Sequence, residues 1–187
     1  MCCRPACARD AARLADIYAP YVADTAITFA TAMPTEAEFA EKIARVGTTF
    51  PFLVCEEEGR VLGYAYAATY RVREAYRWDV EISIYVDMSC RSKGVGRVLM
   101  ERLLRCLRAQ GYQNAYSCIT LPNARSIGLH TRFGFTQIGL FRQAGYKLGK
   151  WHDVVWLRLP LGDFSESPAE PTPFSALAPE TLAVLMV

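Results

Sequence analysis

Residues Arg91 to Gly96 read Arg-Ser-Lys-Gly-Val-Gly, follow an alternating apolar segment from Val80 to Val86, and open an amphipathic stretch that runs towards Gln110. Three features of that junction favour an anion. The two glycines let backbone N–H groups come close to a ligand. A helix leaves the N–H groups of its first turn unpaired, and its dipole carries partial positive charge there. Arg91, Lys93 and Arg97 add formal charge, so Arg91, Ser92, Lys93, Gly94, Val95, Gly96 and Arg97 are the expected cradle of a diphosphate. Neither Gly-x-x-x-x-Gly-Lys-Ser/Thr nor Gly-x-Gly-x-x-Gly is present, which sets aside the two commonest phosphate loops. Solubility and capping can also produce a basic turn before a helix, so the rest of the chain has to decide.

The pattern Arg/Gln-x-x-Gly-x-Gly/Ala between a strand and a helix resembles the acetyl-coenzyme A site of the GNAT N-acetyltransferase superfamily. Further along the chain come Thr28-Phe29, Pro51-Phe52-Leu53-Val54, Gly63-Tyr64-Ala65-Tyr66-Ala67, Arg73-Glu74-Ala75-Tyr76-Arg77-Trp78-Asp79-Val80-Glu81, Ile84-Tyr85-Val86, Leu121-Pro122-Asn123, Leu129-His130, Gly134-Phe135 and Gly149-Lys150-Trp151-His152-Asp153-Val154. In that order they resemble the phosphinothricin acetyltransferase branch, whose members acetylate the α-amine of amino acids such as phosphinothricin, methionine sulfoximine and methionine sulfone. The resemblance runs roughly from Arg9 to Leu159.

It implies an α/β fold with a mostly antiparallel twisted sheet, splayed central strands and helices on both faces. Acetyl-coenzyme A is the implied co-substrate, with no metal, a small amino-acid-like acceptor and a homodimer. Acetyl transfer to an amine requires a neutral amine, a polarised thioester carbonyl and a proton for the departing thiolate. By resemblance Glu81 is the general base, the lesser alternative being a surface carboxylate paired with Arg71, Arg73 or Arg77. The main chain of Ile84, Tyr85 and Val86 is the implied partner of the pantetheine arm, and Ser92 to Arg97 hold the diphosphate. Asn123 reaches the cofactor near its reactive end, with Ser126 one turn on, while Asn123 also suits a helix N-cap. At position 130, where many members carry Tyr as the acid, this chain has His130, which can donate a proton or simply pack. Arg73, with Arg71 and Arg77 as rivals, suits the acceptor's carboxylate because a guanidinium fork matches it bidentately. Phe29 and Tyr76 could wall its side chain, or belong to the core.

Composition narrows the alternatives. A chain of 187 residues is one domain of ordinary size, and a formal charge of +2 gives no broad basic face for nucleic acid. Seven cysteines lie at 2, 3, 7, 55, 90, 106 and 118 without Cys-x-x-Cys spacing, so neither a zinc site nor a disulfide framework is expected. Cys55, Cys106 and Cys118 read as small buried hydrophobes in a reduced cytosol. No segment is long enough to span a membrane, and no secretory signal precedes the fold.

The elements that must position these residues follow the order β-α-α-β-β-β-α-β-α-β-β. Asp10 is expected to cap a helix carrying Leu14, Ile17 and Tyr21, and Thr35-x-x-Glu38 to box the next. Phe52 to Cys55 and Val61 to Tyr70 flank a Gly-containing polar run and read as a hairpin. Period two on the following strand puts Glu81, Ser83 and Tyr85 on one face and the aliphatics on the other. A helix from about Gly94 to Gly111, a strand at Tyr116 to Thr120, a helix capped by Asn123 and a closing pair around Gly149 complete a domain over 1–161. Residues 162–187 are rich in proline and are expected to form a flexible, dispensable tail, although Leu177, Leu182, Val184 and Leu185 could dock. A non-catalytic acyl-coenzyme A module and an acetyltransferase for another small amine, such as a polyamine, are the alternatives. Glu81 beside the loop argues against the first, and the arginines near Arg73 argue against the second.

Overall fold

The computed structural model covers residues 1–187. Strand β1 is Cys2–Pro5, followed by helices α1 (Ala11–Asp24) and α2 (Glu36–Thr49). The Thr35 hydroxyl accepts from the N–H of Glu38 at 3.2 Å and the Glu38 carboxylate accepts from the N–H of Thr35 at 2.7 Å, as the capping box requires. Asp10 does not cap α1. Arg4 captures its carboxylate through two bonds of 2.8 and 2.9 Å, and the N–H of Cys7 donates to it at 2.9 Å.

Strands β2 (Phe52–Glu57) and β3 (Arg60–Thr69) form the expected hairpin, whose turn residues Glu58 and Gly59 have φ of 51° and 77°. Both values positive suit the twist of a two-residue hairpin. Strand β4 (Asp79–Val86) leads to α3 (Val95–Gln110), and β5 (Asn114–Thr120) leads to α4 (Ala124–Arg132). Strands β6 (Thr136–Lys147) and β7 (Lys150–Pro160) close the sheet. Its order is β1-β2-β3-β4-β5-β7-β6, and every pairing is antiparallel except β4 with β5.

Helices pack on both faces. Leu99, Leu103 and Leu107 of α3 bury against Leu53, Ala65, Val80 and Ile82 on one side. Leu14 and Ile17 of α1, with Phe39 and Ile43 of α2, bury against Phe52, Val54 and Tyr64 on the other. The alternation of side chains along β2 and β3 supplies both cores at once. No helix is long and apolar enough to cross a membrane.

Two expectations meet a different structure. Cys55 and Cys106 are buried, but Cys118 is exposed, because β5 has parted from β4 where Cys118 stands. Residues 162–187 are docked instead of flexible. Phe174 is 5% exposed within the α3-side core, and helix α5 (Pro179–Met186) sets Leu182, Leu185 and Met186 against the same cluster. Val184 remains exposed. The segment is tied to α3: the Thr172 N–H donates to the Gln110 carbonyl at 2.8 Å, and Gln110 Nε2 donates to the Thr172 carbonyl at 2.8 Å. Proline-rich composition forbids an independent core, but it does not forbid lending one aromatic side chain to an existing core.

Candidate active site

β4 and β5 are in register over three pairs only, Asp79 with Asn114, Val80 with Ala115 and Glu81 with Tyr116. Beyond Glu81 they diverge, and the main-chain groups on the facing edges lose their ladder partners. Which groups these are follows from the β3–β4 register. The N–H of Asp87 donates to the Leu62 carbonyl at 2.8 Å, so hydrogen-bonded pairs fall at odd-numbered residues of β4. Ser83 and Tyr85 therefore spend their main-chain groups on β3, whereas the N–H of Ile82 closes the last rung to β5 and its carbonyl, with both main-chain groups of Ile84, turns to the gap. Of the three residues expected along a pantetheine arm, Ile84 is free in this way and Tyr85 is not. Val86 is occupied from a third side, since the Tyr21 hydroxyl donates to its carbonyl at 2.6 Å and lies 3.2 Å from its N–H.

The gap widens into a cleft of about 1040 Å³. Ile84, Tyr85, Val86, Arg91, Ser92, Gly94, Val95, Gly96, Arg97, Asn123, Ser126 and His130 all line it, so the structure brings together most of the residues that the sequence singles out. Lys93, Glu81, Phe29, Arg71, Arg73 and Tyr76 are not among the lining residues, although Glu81 immediately precedes Ile82, which is. Gly94 has φ of 86° and Ser92 of 69°, so this turn holds two left-handed residues before α3 begins. The first-turn N–H groups of Val95 and Gly96 have no acceptor within the helix, whereas that of Arg97 turns back to the Gly94 carbonyl at 3.0 Å. A Cβ on Gly96 would stand 3.4 Å from Cδ2 of Leu129, so α4 packs directly against the loop.

Asn123 does cap α4, its Oδ1 accepting from the N–H of Ser126 at 3.2 Å. His130 is buried, with Nδ1 2.7 Å from the Ser126 carbonyl. A carbonyl can only accept, so Nδ1 carries the proton. Burial holds the imidazole pKa below its ordinary value, with the Ser126 bond opposing. The resulting neutral tautomer leaves Nε2 as an acceptor with no proton to give, which argues against His130 as the acid.

Glu81 stands where the strands part, half-buried, and loss of hydration raises its pKa above the usual carboxylate range. It shares a sheet face with Cys118, whose thiol is pushed up to about 11 first by lost hydration and then by the negative charge of Glu81. Beyond it on this face an aromatic wall forms: Tyr70 stacks on Tyr116 with ring centroids 4.1 Å apart, and the edge of Trp156 meets Tyr70 at 5.8 Å.

The residues expected at the acceptor are gathered less tightly. Arg71 lies over the rings of Tyr70 and Tyr76. Arg73 is exposed at the head of a 3₁₀ turn over Glu74–Tyr76. Arg77 is taken by Glu170 of the docked tail at 2.5 Å, which removes it as a rival. Phe29 is part-exposed and seated on Gly145, where any Cβ would collide with its ring.

Sequence reasoning missed Tyr21, whose ring reads as helix core while its hydroxyl reaches the cleft. It also missed Lys147. That side chain is buried, and Nζ donates to the Thr28 carbonyl at 2.9 Å, with the Tyr21 carbonyl at 3.5 Å. It thus fixes the α1–α2 connection between Ile27, which lines the cleft, and Phe29. A lysine ending a strand beside a glycine turn carries no signal of such a bond.

Comparison with known proteins agrees with this geometry. A family profile described as an acetyltransferase (GNAT) domain matches residues 4–156. The chain is 41% identical over 171 residues to a phosphinothricin N-acetyltransferase of Streptomyces viridochromogenes, covering 91% of each. It is 36% identical over 155 residues to an L-methionine sulfoximine/L-methionine sulfone acetyltransferase of Salmonella typhimurium, covering 82% of this chain and 91% of that one. Among solved structures, a GNAT superfamily phosphinothricin acetyltransferase from Sinorhizobium meliloti in complex with AcCoA superposes with a TM-score of 0.86 at 35% identity, over 92% of this chain and 96% of the other.

Proposed function

The chain belongs to the GNAT acetyltransferase family, and on that premise we propose that it transfers the acetyl group of acetyl-coenzyme A to the α-amine of a small amino acid of the phosphinothricin, methionine sulfoximine or methionine sulfone kind. The observation that carries this reading is the parting of β4 from β5 just past Glu81, which opens a cleft whose lining begins at the next residue, Ile82, and runs to the phosphate loop. The loop N–H groups of Val95 and Gly96, with Arg91 and Arg97, suit a diphosphate. The Ile82 carbonyl and the main-chain groups of Ile84, without ladder partners on β5, suit the amide-bearing arm, and the Ile84 N–H suits a carbonyl oxygen of the donor.

The acceptor enters from the face that carries Glu81 and the Tyr70–Tyr116–Trp156 wall. Its ammonium loses one proton to Glu81, which passes it to solvent. The neutral amine attacks the thioester carbon, and electron density moves onto the carbonyl oxygen. When the adduct collapses, the C–S bond breaks, and the remaining ammonium proton goes to the departing sulfur. An amide, a free thiol and one released proton result. A carboxylate whose pKa is raised by burial is a stronger base towards that proton. Arg73 and Arg71, on the connection that leads into β4, are the proposed partners of the acceptor carboxylate.

The active form is proposed to be a homodimer. β6 is an edge strand exposing Ile138, Phe141 and Tyr146, with Trp151 exposed on β7, apolar side chains of the kind that an interface would cover.

The test is thiol release across free amino acids, their sulfone, sulfoximine and phosphinate analogues, and carboxylate-free amines, in wild type and Glu81→Gln. The variant should lose roughly 10²-fold in kcat near neutral pH and recover most of it at high pH, where the amine is deprotonated unaided. A full-speed variant would remove Glu81 as the base. A wild-type preference for plain amines would overturn the amino-acid reading.

A further inference from the structure

Helix α4, packed against the phosphate loop, carries two arginines that line the cleft beside it. Arg125 and Arg132 of α4 line the cleft together with Arg91 and Arg97, and no Asp or Glu lies among the lining residues. None of the four makes an ion pair with a carboxylate. Four unneutralised guanidiniums around one opening form a field for a highly charged anion.

Their arrangement on the helix is specific. Arg125, Leu129 and Arg132 fall at i, i+4 and i+7, one face of α4. Leu129 is the residue against which Gly96 of the phosphate loop packs. The two guanidinium stems thus flank that contact, about 6 Å along the helix axis on one side and about 4.5 Å on the other. The loop side already offers helix N–H groups, Arg91 and Arg97 to a diphosphate, so the α4 pair faces whatever further negative charge the ligand carries. Acetyl-coenzyme A carries a separate monophosphate on its ribose 3′ oxygen.

Resting on acetyl-coenzyme A as donor, we propose that Arg125 and Arg132 form a second phosphate subsite that binds the ribose 3′-phosphate and selects against a donor lacking it. A guanidinium offers that dianion paired N–H donors, which a lysine cannot reproduce.

The experiment compares acetyl-coenzyme A with acetyl-3′-dephospho-coenzyme A by titration calorimetry, in wild type, Arg125→Ala/Arg132→Ala and Arg125→Lys/Arg132→Lys. Wild type should favour the phosphorylated donor by about ten-fold or more at low salt, with the preference shrinking as salt rises. The double alanine variant should lose that preference while its affinity for the dephospho donor changes by less than about two-fold, and the lysine variant should restore part of it. An equal loss for both donors would assign the arginines to the diphosphate and overturn the subsite, as would a wild type indifferent to the 3′-phosphate. If wild type binds neither donor, acetyl-coenzyme A itself is the wrong donor, and the subsite falls with it.

Discussion

Replacing Phe174 by Ala removes the one side chain of residues 162–187 that enters the main core, where it is 5% exposed among α3 and the sheet. Full burial of a Phe contributes about 1.5–3 kcal/mol, and truncation in a rigid core costs about 3–5 kcal/mol once the cavity is included. The lower range applies here, because a terminal segment can lift away instead of keeping a cavity. A loss of about 2–3 kcal/mol in a chain of this length should lower the melting temperature by roughly 5–10 °C. Truncation after Gly162 should give a loss of similar size, since Leu182, Leu185 and Met186 are only partly buried and depend on the same anchor. Circular dichroism on heating supplies the melting temperatures, and limited proteolysis between Asp163 and Pro173 reports undocking directly. If Phe174→Ala melts within a degree of wild type and its tail is no more sensitive to protease, the tail is not anchored as described.

Lys147→Met keeps the length of the side chain and removes the ammonium that holds the Thr28 carbonyl. A charge-assisted hydrogen bond of this kind contributes about 1.5–3 kcal/mol, so the acceptor KM should rise at least ten-fold with a smaller change in kcat, and Lys147→Arg should recover part; equal loss in every parameter would mark the residue as merely structural. Ile138→Lys on the β6 edge should shift the protein to monomer in sedimentation velocity, and an unchanged mass would move the interface elsewhere.

What the sequence reveals and what it hides divide along a physical line. Thr35 with Glu38, the Glu58–Gly59 turn, the left-handed Gly94 and Gly111 that bracket α3, and the period-two pattern of β4 are local: each is fixed by neighbours within a few residues, and each is found where the spacing predicts. Asp10 has an equally good local signal as a cap, yet its carboxylate is taken from the N-terminal side, because Arg4 on β1 offers a paired charge and the N–H of Cys7 a further donor. Composition misleads in the same way for residues 162–187, where Phe174 finds a core that the rest of the chain has built.

The candidate site lies at the boundary between the two kinds of information. Its residue types are legible because the loop chemistry is contiguous, but its geometry depends on where β4 stops pairing with β5, which no residue of either strand announces. That stopping point decides the role of each main-chain group. It frees the Ile82 carbonyl and the main chain of Ile84, exposes Cys118, and leaves Glu81 as the last paired carboxylate before the gap. The same burial that raises the Glu81 pKa has a price in stability. A group whose folded pKa lies above its unfolded value stabilises the protein fully at pH below the unfolded value, and that contribution is lost as pH rises through the folded value. Once ionised, Glu81 is therefore a destabilising group held in place by the fold, at the point where β4 leaves β5.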